Sequence, residues 1–162
     1  MATPHHVREW QRLSGDERAA WAGFLRTYPS IVGRLNSQFL EEHGLTFSEY
    51  DVMIQLSVAG REGLRMHVLA DKVLLSRSAI TRLIERLEAQ GLVDRRRGQG
   101  RGRVVSAHIT RKGIRRLAEV TPAHLAGVRK VFLDRLTRAQ IKQLAAIWEK
   151  LLVPADETNA EC

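Results

Sequence analysis

The sequence predicts a mostly α fold carrying one small β-wing. Three observations predict it. A capped apolar stripe of Ile80, Leu83, Ile84 and Leu87 recurs at i, i+3, i+4 and i+7, the period of one helix face. Behind it lies a glycine-broken segment whose residues alternate at period two, the pattern of a hairpin. The positive charge is gathered on this same stretch: residues 1–60 carry −2, residues 61–116 carry +10 and residues 117–162 carry 0. A basic surplus confined to one unit points to a single face for a polyanion.

The central unit spans residues 66–110. Ser76 stands just before the apolar rhythm, where its hydroxyl can accept from the free amides of a helix start. Ser78, Thr81, Arg82 and Glu85 fall on the opposite, wet side. Gly91 ends a helix of about 15 residues by taking left-handed backbone, with Leu92 folding back. Upstream, residues 66–73 place Val68, Leu69 and Val73 on one apolar side, and only Leu74 and Leu75 separate them from Ser76. So short a connection makes a helix-turn-helix. The turn lacks glycine, with Leu74 where one would stand. After Val93 come Asp94, Arg95, Arg96 and Arg97, then Gly98, Gly100 and Gly102. Val105, Ala107 and Ile109 alternate with Val104, Ser106 and His108. Strand, glycine tip and strand form a basic wing, with a short third strand expected near Arg65.

The flanks are helical. Ser14 with Glu17 makes a capping box, and Trp21, Leu25, Tyr28, Val32, Leu35 and Phe39 form a seam facing another helix. Pro29 should kink that helix. Thr46 with Glu49 starts the next, with Leu45 and Tyr50 as a hydrophobic staple. After Thr110, a long apolar pattern reaches Leu136. Either Pro122 kinks it, or Thr121 caps a fresh helix with Pro122 at its first position. Thr137 with Gln140 starts the last helix, and Pro154 stops it.

The chain has 162 residues, enough for one domain with extensions. Its single cysteine, Cys162, forms no intrachain disulfide and fits a cytoplasmic location. His5, His6, Arg8 and Glu9 interrupt the N-terminus, so no signal peptide is expected, and no apolar run approaches membrane-spanning length.

The stretch SRSAITRLIERLEAQGLVDRR, followed by a basic glycine loop and HITRKG, resembles the multiple-antibiotic-resistance-regulator (MarR) family of dimeric winged-helix transcription factors, mostly repressors. The resemblance covers residues 25–152. It implies a homodimer on a palindromic double-stranded DNA operator, released by a small aromatic or anionic effector. On it the chain divides into an N-terminal extension and dimerisation helix (1–45), a DNA-binding winged helix-turn-helix (46–110), C-terminal dimerisation helices (111–153) and a tail (154–162). Family wings usually carry Asp, any residue, then Arg before the second strand. Here Arg101-Gly102-Arg103 stands there, keeping the tip arginine and exchanging the acid for a second cation.

Residue roles follow. Ser78, Thr81 and Arg82 face base edges in the major groove, and the Arg82 fork suits guanine. Ser76, Arg77 and Arg86 flank them on phosphates. Arg95, Arg96 and Arg97 lie along the backbone, and Arg101 and Arg103 reach a minor groove. Trp10, Trp21, Tyr28 and Tyr50 are the candidate lining of an effector pocket, although such aromatics more often form plain core. The N-terminal extension with Trp10 is similar to the urate-responsive branch of the family.

Other classes have less support. A metal-responsive regulator of the same fold would draw on Glu41, Glu42, His43 and His108 or His124, but no compact ligand spacing joins them. No cofactor or resident metal is expected. A small basic RNA-binding protein would interleave aromatics with its cations, and none lies between Arg61 and Arg116. For an enzyme, the chain lacks a phosphate-cradling glycine loop before a helix, a nucleophile elbow and an HExxH pattern.

Overall fold

The computed structural model describes residues 10, 12–97 and 105–152. Its first long helix, α1 (Gly15–His43), starts in the expected capping box. Glu17 N donates to Ser14 Oγ, and Ser14 N donates to Glu17 Oε2. Gly44, at φ 64°, closes it. Pro29 lies inside α1, which continues through it as one helix. Only the C-terminal half of the α1 seam is covered. Leu35 and Phe39 are buried, whereas Trp21, Leu25 and Tyr28 stay open.

Helix α2 (Phe47–Ala59) starts in the Thr46–Glu49 box and buries Tyr50, Val52, Met53 and Leu56. A 3-10 turn (Gly60–Glu62) leads to β1 (Leu64–Arg65), the expected third strand. Helix α3 (Met66–Lys72) and α4 (Arg77–Ala89) form the helix-turn-helix pair. Strands β2 (Val93–Arg97) and β3 (Val105–Ile109) form the wing. The antiparallel sheet has the order β1-β3-β2, with Leu64 opposite Ala107 and Arg95 opposite Ala107 on the other edge.

Helix α5 (Arg111–Val131) settles the Pro122 alternative. It is one continuous helix, with Thr110 as its N-cap. Pro122 has no N–H to offer its preceding turn. Beside it, Thr121 Oγ1 donates to the Leu117 carbonyl at 2.7 Å, and Tyr50 Oη sits 3.3 Å from the same hydroxyl. A 3-10 turn (Leu133–Arg135) precedes α6 (Arg138–Leu151), whose Thr137–Gln140 capping box is present.

One apolar core joins α2, α3, α4, the root of the sheet and the first half of α5, through Leu45, Met53, Leu56, Leu69, Ile84 and Leu87. Helix α6 contributes no buried residue. Trp148 meets Phe24 at 6.2 Å between ring centroids, yet Leu125, Ile147 and Leu151 stay open. Apolar area left in water forgoes about 25 cal/mol per Å².

Candidate nucleic-acid interface

The interface is built on α4. Ser76 is its N-cap, with Ala79 N donating to Ser76 Oγ at 3.2 Å. Ile80, Leu83, Ile84 and Leu87 are at most 3% exposed, so the facing of the helix is fixed by its apolar stripe. That leaves Ser76, Arg77, Ser78, Thr81 and Arg82 on the outside, where the sequence placed them. Ser76 Oγ also lies 3.2 Å from Ser78 Oγ, and Thr81 Oγ1 donates to the Arg77 carbonyl at 2.8 Å. Ser78 Oγ and Thr81 Oγ1 keep accepting capacity for a ligand. Arg77 and Arg82 pair with no carboxylate among the described residues.

The end of α4 is tied from two sides. Gly91 takes φ 69°, its N–H donates to Glu88 O at 2.8 Å and Leu92 N donates to Leu87 O at 2.9 Å, the bonding of a Schellman cap. The helix therefore runs 13 residues, two short of the expected length. Thr110 Oγ1 donates to Gly91 O at 2.8 Å, and Lys112 Nζ donates to Gln90 O at 2.7 Å. The start of α5 thus holds the end of α4.

The four described cations beyond Arg82 are not equivalent. Arg86 donates from Nε to Glu49 Oε1 at 2.9 Å, with its own side chain 57% exposed. Arg95 folds back onto α4: Nη2 lies 2.6 Å and Nε 2.8 Å from Glu88 Oε2, and Nη1 is 3.6 Å from Glu85 Oε1. This hydrogen bond holds the Glu88 carboxyl below its ordinary pKa and raises that of Arg95. Arg96 lies 3.8 Å from Asp94, and Arg97 is exposed and unpaired among the described residues. Arg101 and Arg103 fall outside the described residues. Sequence reasoning missed Glu49, Glu88 and Lys112 as partners of this face. Glu85 and Glu88, one helix turn apart and facing a strand that doubles back, were the available signal for the second.

At the wing root, His108 is buried over Gly63, whose φ is 63°. Its Nε2 is 2.9 Å from Ser106 Oγ. Burial, then the charge of Arg96, lowers its pKa.

The four aromatics considered for a pocket separate into three places. Trp10 and Trp21 line a surface notch of about 350 Å³ with Arg18, Ala22, Leu25 and Arg26. Tyr28 is exposed beside Phe24. Tyr50 is buried at the joint of α1, α2 and α5, 5.2 Å from Phe39 and 4.4 Å from His124 between ring centroids. Burial lowers the His124 pKa. Among the described residues, no three His, Cys, Asp or Glu side chains gather to hold a metal ion, and no helix is long and apolar enough to cross a membrane.

A capped helix with a polar outer face, latched to a basic three-stranded wing, defines a winged helix-turn-helix regulator. The MarR family model matches residues 43–104. The chain is 34% identical over 103 residues to the HTH-type transcriptional regulator MhqR of Bacillus subtilis, covering 64% of this chain and 69% of that protein. It is 31% identical over 129 residues to the HTH-type transcriptional regulator TtmR of Methylorubrum extorquens, covering 78% and 65%. Sco3205, a MarR family transcriptional regulator from Streptomyces coelicolor solved in complex with DNA, superposes with a TM-score of 0.79 at 28% identity, covering 90% of this chain and 96% of that one. The chain belongs to the MarR family of DNA-binding transcriptional regulators, and these relatives are regulators rather than enzymes.

Proposed function

We propose that this chain is a cytoplasmic repressor that binds a palindromic operator as a homodimer and is released by a small aromatic or anionic effector. The observation that carries the DNA reading is the outward set Ser78, Thr81 and Arg82 above a fully buried stripe. Arg82 reads a base edge, and Ser76, Arg77 and Arg86 meet phosphates beside it. Arg96 and Arg97 follow the backbone, the tip arginines Arg101 and Arg103 take the minor groove, and Arg95 serves mainly to hold the wing.

The open apolar faces support the dimer. Trp21, Leu25 and Tyr28 of α1, Leu125 of α5, and Ile147 and Leu151 of α6 need a cover that one chain does not supply. In this reading residues 1–45 and 111–153 form the shared frame, residues 46–110 the DNA-binding lobe and residues 154–162 a tail. Twofold symmetry then sets two copies of α4 about 34 Å apart, one turn of duplex. The notch of Trp10, Trp21, Arg18 and Arg26 supports the effector, because indole faces and guanidinium groups suit a planar anion.

Selection of bound sites from a random duplex library tests the reading, with solution mass measured in parallel. The expected result is a palindrome with one-turn half-site spacing bound by a dimer, and its release by an aromatic carboxylate such as benzoate. A strictly monomeric protein that enriches no sequence would overturn it.

A further inference from the structure

We infer that Glu49 is a positioning residue for DNA binding: its buried carboxylate sets the Arg86 guanidinium so that the outer nitrogens meet a backbone phosphate in a fixed direction. The inference rests on the DNA-binding reading above and deepens it.

The Glu49 side chain is 4% exposed, whereas that of Arg86 is 57% exposed. A carboxylate so buried needs its acceptor sites filled. Oε2 accepts from Thr46 N at 2.8 Å and from Thr46 Oγ1 at 2.9 Å, and Oε1 accepts from Arg86 Nε at 2.9 Å. Glu49 N returns a bond to Thr46 Oγ1 at 3.2 Å, which closes the capping box of α2. The carboxylate cannot swing without breaking that cap. The next residue anchors the same turn elsewhere, with Tyr50 Oη 3.3 Å from Thr121 Oγ1 on α5.

Arg86 meets this fixed carboxylate through Nε alone. Nη1 and Nη2 have no acceptor among the described residues. Ser78, Arg82 and Arg86 recur every fourth residue, so they form one file along α4. A base-reading file that begins with Ser78 and Arg82 ends with Arg86, where a helix leaving the major groove crosses the phosphates. An unheld arginine must be ordered on binding, which costs about two- to tenfold in affinity. Glu49 removes that cost in advance.

The test uses the full chain, its selected operator, a random duplex and a salt series. The variants are Glu49→Gln, Arg86→Ala, their combination and Thr46→Ala, with thermal unfolding measured for each. Arg86→Ala should weaken both duplexes alike, by about fivefold, and reduce the slope of log affinity against log salt by about one. Glu49→Gln should weaken both by about two- to fivefold, and by nothing further once Arg86 is Ala. Thr46→Ala, which removes the hydroxyl bonds but keeps the main-chain N–H at position 46 on Oε2 and so leaves the carboxylate held, should lower the unfolding midpoint with little change in affinity. The Arg86 Nε–H resonance should exchange slowly in the wild type and be lost in Glu49→Gln. Equal weakening by Glu49→Gln in both backgrounds, or none in either, overturns the inference while the DNA reading stands. If the wild type binds no duplex and the slow Arg86 resonance persists, the DNA reading fails and the inference falls with it.

Discussion

Arg95 of β2 and Glu88 of α4 meet through both main chain and side chain. Arg95 N donates to Glu88 Oε1 at 3.3 Å, and Arg95 Nη2 lies 2.6 Å from Glu88 Oε2. The wing is therefore referenced to α4, and the contact holds the two in one relative orientation. Both side chains are about a third exposed, so the pair contributes only about 0.2–1 kcal/mol to stability. Its larger effect is on orientation. Glu88→Ala should leave cooperative unfolding nearly unchanged and weaken operator binding several-fold. Denaturant unfolding beside a duplex titration checks this. A large drop in stability with unaltered binding would contradict it.

Gly113 packs its α-carbon against the turn after α4. A β-carbon there would sit on the Leu92 carbonyl oxygen and press on Ile109 Cγ1. The carbonyl cannot retreat, because Thr110 N and Thr110 Oγ1 both donate to it. Overpacking against backbone costs about 1–3 kcal/mol, and Gly113→Ala should fall at the upper end. The shift in urea midpoint at constant m-value measures it.

Arg82→Ala should separate base reading from backbone contact. Arg82 is exposed on α4 with no carboxylate partner among the described residues, so its loss leaves the fold alone. If it bridges a guanine, operator affinity falls by about 1–3 kcal/mol and binding to random duplex stays unchanged. Equal loss on both sequences would make it a phosphate contact instead.

These predictions also show which features were legible in the chain. Ser76, Gly91, and the Thr46–Glu49 and Thr137–Gln140 boxes act within a few residues of their partners, so local chemistry announces them. The outward position of Ser78, Thr81 and Arg82 follows from the apolar stripe opposite. Glu49 with Arg86 was not legible, because 37 residues separate them and many exposed carboxylates were equal candidates. Arg95 read as one cation in a run of three, yet the strand's return over α4 brings it onto Glu88, while Arg97 is exposed and unpaired among the described residues. Pro122 allowed two outcomes, and the Tyr50 hydroxyl that meets Thr121 beside it comes from α2, 71 residues away.

Leu74 occupies the turn between α3 and α4 at φ 53°, and it is 89% exposed. Leu74 N donates to Asp71 O and Leu75 N to Ala70 O at 3.0 Å, the cap geometry that glycine favours. Left-handed backbone costs a leucine about 1–2 kcal/mol, and glycine loses about 0.5–1 kcal/mol in chain entropy. Leu74→Gly should therefore stabilise the chain by about 0.5–1 kcal/mol, since the side chain buries nothing. Chemical denaturation reads this directly. If Leu74→Gly also changes operator affinity at equal stability, the leucine touches DNA.

One buried histidine, His108, and one half-buried histidine, His124, make stability depend on pH. Burial lowers the His124 pKa, where the ring packs 4.4 Å from Tyr50 and 5.8 Å from Phe39. Burial and Arg96 lower that of His108, opposed by the Arg61 backbone and Asp94. In the unfolded chain both titrate near their ordinary value of about 6.5. Between the folded and unfolded values the unfolded chain binds more protons, so stability rises with pH there. It is complete above about pH 6.5 and declines as the pH falls below it. Glu88 has the same sign in a lower window. Its pKa is depressed below the carboxylate's ordinary 4.5, so its contribution is lost only as the pH falls beneath that value. Unfolding midpoints measured from pH 8 to pH 5 should be flat at first and then fall. His124→Gln should flatten part of the fall, and His108→Gln should flatten another part. A fall that survives both substitutions unchanged would place the titrating groups elsewhere.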